Sequence, residues 1–254
     1  MARIIAIANQ KGGMGKTTLA FHLAHALSCL GARVLALDND PQANLTEIVV
    51  AGGATRLPSQ ANIRRLYARE SCEPLRGSHF DLLGASASLV SVSERRIFQA
   101  LEALQLGLAD LADRYDYMLI DCLPSFGVLM LSAMGAARQV LVPARPSQFG
   151  LAGVESMFEL IERTRRGVNT RLEPLGVLLT LIDPRRLVIE RDFETALRQR
   201  YGKLVFNTRL HRRVGYEESA TLRLPLFEYS RGAEAQEFTS LTDEFLTRIR
   251  QIIP

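Results

Sequence analysis

The chain has no tryptophan, only three cysteines and only three lysines among 254 residues. Each scarcity narrows what it can be. Cys29, Cys72 and Cys122 are odd in number, widely spaced and without a C-x-x-C pair. That pattern argues against a disulfide framework and a zinc site and leaves buried free thiols as the expectation. No uninterrupted apolar run approaches the roughly 18 residues of a membrane-spanning helix. The opening Met1-Ala2-Arg3, followed by Ile4-Ile5-Ala6-Ile7-Ala8, is too quickly broken for a secretory signal. A cytosolic location is therefore expected. Repeats, linkers and low-complexity tracts are also missing, which favours one domain over residues 1–254.

What is present is ordinary in bulk and uneven in detail. Apolar residues make up 47% and charged residues 23%, which excludes a disordered or fibrous chain. Of 31 basic residues 28 are Arg, and the lysines are Lys11, Lys16 and Lys203. A chain that uses Arg nearly everywhere yet places two lysines in one glycine loop needs a compact ammonium there rather than a planar fork. The net charge is +4, and residues 183–223, with ten Arg/Lys against six Asp/Glu, account for all of it. Such a concentration is expected where one face meets a polyanion.

Apolar runs at Ile4–Ala8, Arg33–Leu37, Phe80–Gly84, Tyr117–Asp121, Gln139–Pro143, 175–181 and near Val205 read as strands. Helical periodicity predicts helices at Lys16–Leu30, Ser93–Arg114, Gly127–Ala137, 150–166, 190–201 and 233–252. Ala51–Ser78 reads as loops with a short helix. This alternation predicts an α/β fold: a doubly wound, mostly parallel sheet with helices on both faces and ligands beyond the carboxyl ends of the strands.

Three motifs fall at those ends. Lys11-Gly12-Gly13-Met14-Gly15-Lys16-Thr17-Thr18 leaves the first strand and opens the first helix, the setting of a phosphate-binding loop. Its glycines let backbone N–H groups face an anion at a helix N-terminus. Lys16 is placed to reach the β- and γ-phosphates of ATP and Thr17 to ligate Mg²⁺. Leu37-Asp38-Asn39-Asp40-Pro41-Gln42-Ala43-Asn44 ends the second strand, where carboxylates can hold Mg²⁺ through water or orient an attacking water. Asp–Pro is also a common turn. Tyr117-Met118-Leu119-Ile120-Asp121 is an apolar strand ending in a carboxylate, which fits a Mg²⁺-associated Walker B aspartate.

The glycine loop departs from G-x-x-x-x-G-K-S/T, because Gln10 stands at the first glycine and Lys11 follows. In this it resembles the ParA/MinD family of deviant Walker A P-loop ATPases, whose signature reads K-G-G-x-G-K-S/T-S/T. The D-x-D-P-Q-x-N element resembles that of the ParA branch. The resemblance extends through Leu178-Leu179-Thr180, Phe206-Asn207-Thr208 and Pro225-Leu226. It implies an ATP-sandwich homodimer in which Lys11 contacts phosphate across the interface. It also implies that Asp40 activates water and that Asp38 supports the Mg²⁺ site. The family usually continues D-x-P-P after the Walker B aspartate, whereas this chain has Cys122-Leu123-Pro124. Relatives commonly carry I-P-R near the adenine where this chain has Leu210-His211-Arg212, so His211 either stacks on the base or is simply exposed.

The family also implies nonspecific DNA binding through late basic residues, with Arg185, Arg186, Arg212 and Arg213 as candidates. The competing reading is a solvated surface paired to Glu190, Asp192 and Glu194. The function expected is DNA segregation or cargo positioning on the nucleoid, with a ParB-like or cargo-adaptor partner stimulating hydrolysis. A MinD-like membrane regulator is the alternative. It needs an amphipathic tail, whereas Phe238, Leu241, Phe245, Ile249 and Ile252 form a stripe suited to core packing.

Overall fold

The computed structural model describes residues 2–50, 56–147 and 150–251. Seven strands form one sheet: β1 (Arg3–Ile7), β2 (Val34–Asn39), β3 (Asp81–Leu83), β4 (Tyr117–Cys122), β5 (Gln139–Ala144), β6 (Glu173–Ile182) and β7 (Val205–His211). Their order is β3-β2-β4-β1-β5-β6-β7 and every pairing is parallel. The expected doubly wound α/β fold is therefore present, with β1 central and β4 between it and β2.

The alternation of side chains along the strands builds two cores. Ala6, Leu35, Leu37, Met118, Ile120, Val140 and Val142 face one side. There they meet helices α3 (Arg64–Tyr67), α4 (Val90–Ser93), α5 (Ile97–Ala109), α6 (Val128–Ala136) and α7 (Gly150–Gly167). Ile5, Ile7, Ala36, Leu119, Leu141 and Leu178 face the other. Their partners include α1 (Lys16–Cys29), α2 (Asn44–Val50), α9 (Val214–Leu222), α10 (Leu226–Tyr229) and α11 (Ala233–Gln251). Helix α8 (Leu187–Tyr201) packs Phe193 and Leu197 on β6 and β7 in a third cluster. Each fully buried Leu or Phe contributes about 1.5–3 kcal/mol to these cores.

The helix ends follow their local chemistry. Gly15 enters α1 at φ 77°, and Gly31 ends it at φ 87° with the N–H of Ala32 on the Leu27 carbonyl, a left-handed glycine cap. The expected helix Ser93–Arg114 is interrupted. Arg96 is extended at φ −64°, ψ 131°, so α5 starts at Ile97, and a tight turn at Ala112–Arg114 follows it. Sequence periodicity also missed α2, α9 and α10, and the seven residues of β7 exceed the short strand expected there. In α11 the stripe Phe238, Leu241, Phe245 and Ile249 is buried as expected, while Ile252 lies outside the described residues. Residues 51–55 of the expected loop region do too. Of the thiols only Cys122 is buried; Cys29 is exposed and Cys72 half-buried. At the β7 edge, Glu244 of α11 accepts hydrogen bonds from the N–H groups of Asn207 and Thr208 and from the Thr208 hydroxyl, each at 2.8 Å.

Two histidines of α1 are buried. His22 Nε2 donates to the Tyr216 carbonyl at 3.1 Å, and His25 lies edge-on to Phe21 and Phe80. Burial pushes His22 down to about 4 and His25 to about 3. The unfolded chain, with histidines near 6.5, binds protons that the fold refuses. Their contribution is therefore complete above about pH 6.5 and is lost as pH falls toward those values. We predict that His25→Leu loses less stability than wild type between pH 7 and pH 5, by about 2 kcal/mol, in paired thermal-melting curves. Equal acid losses in the two proteins would exclude a buried neutral His25.

Candidate functional site

The carboxyl ends of β1, β2 and β4 converge. Register pairs Asp38 of β2 with Asp121 of β4, and Asp121 with Ile7 of β1, so the two carboxylates are neighbours directly beside the glycine loop that leaves β1. Both are buried. Burial raises Asp121 to about 8, reinforced by the charge of Asp38 and opposed by the Thr17 hydroxyl and Lys16. Burial likewise raises Asp38 to about 6, although the side chain and N–H of Thr46 and the N–H of Asp40 work against it. Lys16 is itself lowered by burial, with Asp121, Cys122 and Asp40 opposing the shift.

The glycine loop is tied down at several points. Gly13 and Gly15 hold φ of 69° and 77°, a conformation costly for other residues. Asn9, buried at the end of β1, donates to the Pro143 carbonyl at 2.8 Å and accepts from the Lys11 N–H at 3.0 Å. Lys16 Nζ donates to the Lys11 carbonyl at 3.1 Å. The Thr180 hydroxyl of β6 donates to the Met14 carbonyl at 3.0 Å. Lys11 lies along α7, where a Cβ added at Gly153 would come 3.3 Å from its Cε. Thr18 and Gly15 line a cavity with Thr180, Leu181, His211, Arg213, Tyr216 and Phe238.

Thr17 and Asp121 fit a divalent cation beside a polyphosphate. The Thr17 hydroxyl is hydrogen-bonded to Asp121, yet Asp121 Oδ1 is buried without a partner, an acceptor that calls for a cation or a proton. Among the described residues no group of three or more His, Cys, Asp or Glu could hold a metal alone. A divalent ion here depends on phosphate oxygens and water as well, the usual pattern for Mg²⁺. Asp38 differs from its neighbour. Its Oδ2 accepts from the Thr46 N–H at 2.8 Å and the Thr46 hydroxyl at 2.7 Å, and its Oδ1 from the Asp40 N–H at 3.2 Å. Both oxygens are thus engaged in holding α2 and the Asp40 turn. Asp40 is half-buried, and its Oδ1 accepts from the Gln42 N–H at 2.9 Å.

Asn39, between these aspartates, points into the opposite core. It donates to the Leu129 carbonyl at 3.0 Å and accepts from the Tyr67 hydroxyl at 2.8 Å, tying the Asp40 turn to α6, which follows the Asp121 loop. Sequence reasoning missed the roles of Asn9, Asn39, Thr46 and Thr180; for Asn9, Asn39 and Thr180 the local signal available was a polar residue at the end of an apolar run.

The four arginines proposed for DNA divide into two groups. Arg185 and Arg186 are exposed at the start of α8, with Arg185 82% exposed and paired to Asp183 two residues away. Arg212 and Arg213 instead line the cavity beside the glycine loop. Arg213 is 35% exposed and bound to Glu237 at 2.7 Å, which also accepts from His211 Nδ1 at 2.9 Å. Arg212 is nevertheless exposed, and a tally of charges along the sequence cannot register the carboxylate 24 residues later that holds Arg213.

A parallel sheet, a glycine loop capping α1, Lys16 within it and Asp121 at the neighbouring strand end define a P-loop nucleoside triphosphatase. Residues 2–174 match the family model described as AAA domain. The chain is 37% identical over 257 residues to the chromosome-partitioning ATPase Soj of Thermus thermophilus, covering 98% of this chain and 97% of that protein. It is 34% identical to the chromosome partitioning protein ParA of Caulobacter vibrioides, covering 98% and 95%. Among solved structures it resembles apo McdA of Cyanothece, with a TM-score of 0.84, 25% identity and coverage of 97% and 100%. It also resembles a cobyrinic acid a,c-diamide synthase of Mycobacterium smegmatis with bound ADP and magnesium, with a TM-score of 0.75, 31% identity and coverage of 90% and 93%. The chain belongs to the ParA family of ATPases.

The Asn39 network generates a test of the scaffold. Tyr67→Phe leaves the buried Asn39 Oδ1 without its donor, and a loss of about 1–3 kcal/mol is expected in urea denaturation. An unchanged midpoint would mean that the network carries no net stability.

Proposed function

We propose that this protein is a partitioning or cargo-positioning ATPase that binds ATP at residues 11–18, pairs with a second copy and holds nonspecific DNA in that state. The observation that carries the reading is the orphaned Asp121 Oδ1 beside Thr17 and Lys16 at the mouth of the glycine loop. Thr17 and Asp121 would hold Mg²⁺, which supplies charge neutralisation at the β- and γ-phosphates. Lys16 supplies a second positive charge from a buried position, where electrostatic attraction is strong. Lys11 contributes a third within the dimer. Asp40, half-buried at the rim, positions water for in-line attack, and Asp38 fixes the turn that carries it. The cavity lined by His211, Arg213 and Tyr216 accepts the base.

The exposed Arg185 and Arg186 support phosphate contacts, which are salt-sensitive and independent of sequence. Arg212, exposed beside the cavity, adds to the same contacts, whereas Arg213 is held by Glu237. A ParB-like or cargo-adaptor partner that stimulates hydrolysis, and association with the nucleoid, complete the reading. It agrees with the partitioning names of the full-length relatives. The membrane alternative is disfavoured because the apolar stripe of α11 is occupied by the core rather than presented as an amphipathic face.

Binding of an arbitrary duplex with ATP, with ADP and without nucleotide, at two salt concentrations, tests the whole reading. Binding with ATP alone that weakens with salt is expected, and no binding in any state would remove the DNA role. Lys16→Ala should abolish nucleotide binding in a fluorescent-nucleotide titration. Asp40→Ala should keep ATP but lower turnover about 100-fold or more, within the range of a lost catalytic base. Wild-type turnover in Asp40→Ala would remove that residue from the mechanism. Replacing Arg185 and Arg186 together should reduce the salt slope of DNA binding by about 2 while ATP affinity stays unchanged.

A further inference from the structure

Strand β6 breaks its regular pairing where it passes the glycine loop. Leu179 pairs with Arg209 of β7 and Ile182 with His211, so three steps on β6 match two on β7. The extra residue is accommodated by Leu181 at φ 55°, a left-handed conformation unusual for a branched side chain. In a regular strand Thr180 and Leu181 would point to opposite faces. Here both line the cavity beside Gly15 and Thr18. Thr180 is itself buried, two positions beyond Leu178, which packs on the α1 side of the sheet. Its hydroxyl meets the Met14 carbonyl at 3.0 Å.

Met14 stands between the two left-handed glycines of the loop. A trans peptide is planar, and its C=O and N–H point in opposite directions. Holding the Met14 carbonyl toward β6 therefore turns the Gly15 N–H away from β6. A loop that cradles an anion needs its N–H groups turned inward and its carbonyls turned out and satisfied.

We propose that Thr180 is a positioning residue of the phosphate loop: its hydroxyl fixes the Met14–Gly15 peptide plane so that the Gly15 N–H faces bound phosphate. The left-handed Leu181 lets β6 keep Thr180 against the loop while contributing to the cavity wall. The inference rests on the reading of residues 11–18 as a phosphate site and adds to it a residue on a distant strand.

The test compares wild type with Thr180→Val, which keeps the shape and removes the hydroxyl, Thr180→Ala, which removes it without placing a methyl beside the carbonyl, and Thr180→Ser, which keeps it. Affinities for ATP, ADP and adenosine are measured by competition, with thermal melting of each protein. Val and Ala should weaken ATP and ADP about five- to tenfold, the worth of one hydrogen bond, and leave adenosine unchanged, while Ser stays within about twofold of wild type. Unchanged ATP affinity in Val or Ala overturns the proposal. So does an equal loss on adenosine, which would make Thr180 a wall of the cavity, and so does a Ser variant as weak as Val. If wild type binds neither ATP nor ADP, the phosphate-loop reading falls and this proposal with it. Wild-type binding with unaffected variants overturns only the proposal.

Discussion

Two buried carboxylates on adjacent strands impose a charge problem that the surrounding structure answers. Neighbouring strands lie about 5 Å apart, and two like charges at that spacing repel by on the order of 3 kcal/mol at an effective dielectric near 20. Asp38 and Asp121 occupy such paired positions with almost no solvent. Asp38 is stabilised by donors from Thr46 and Asp40, and Asp121 by Thr17 and Lys16. The donors to Asp38 place α2 and the Asp40 turn, and those to Asp121 place the start of α1. What is left over is a proton or cation demand at Asp121, raised to about 8.

The glycine loop shows the same economy from the opposite direction. Its own residues favour the required turns, but three side-chain hydrogen bonds select among them. Asn9 links it to β5, Thr180 links it to β6, and Lys16 folds back on the Lys11 carbonyl. A loop held this way meets its ligand with little ordering left to do, which is how preorganised sites gain affinity. Asn39 extends the linkage by joining the Asp40 turn to α6 through Leu129 and to α3 through Tyr67. A displacement of either turn must therefore move or break a buried polar contact.

The parts of this design that are local were legible in the sequence. Ile4–Ala8 followed by Lys11–Thr18 carries strand, turn and helix signals within fifteen or so residues, the range over which propensity and periodicity act. The strand before Asp121 was legible for the same reason. Asn9 and Thr180 were not, because their partners Pro143 and Met14 lie 134 and 166 residues away. The pairing of Arg213 with Glu237 was not legible either, because 24 residues separate the two. The uninterrupted helix expected at Ser93–Arg114 failed at Arg96, whose extended backbone no periodicity announces. Helix α9 was hidden by Gly215 in its first turn and by an N-cap arginine in place of a capping Ser, Thr, Asp or Asn.

Glu244 at the β7 edge has a consequence for the molecule among its neighbours. An outermost strand normally offers a row of open backbone groups on which another chain can build. At Asn207 and Thr208 that row is already occupied by a carboxylate from α11. A strand seeking to extend the sheet there must displace three hydrogen bonds and strand a negative charge against its own carbonyls. At the far edge β3 is only three residues long and offers little length to template. Among the described residues, both edges of the sheet thus leave little open backbone on which the strand of another molecule could build.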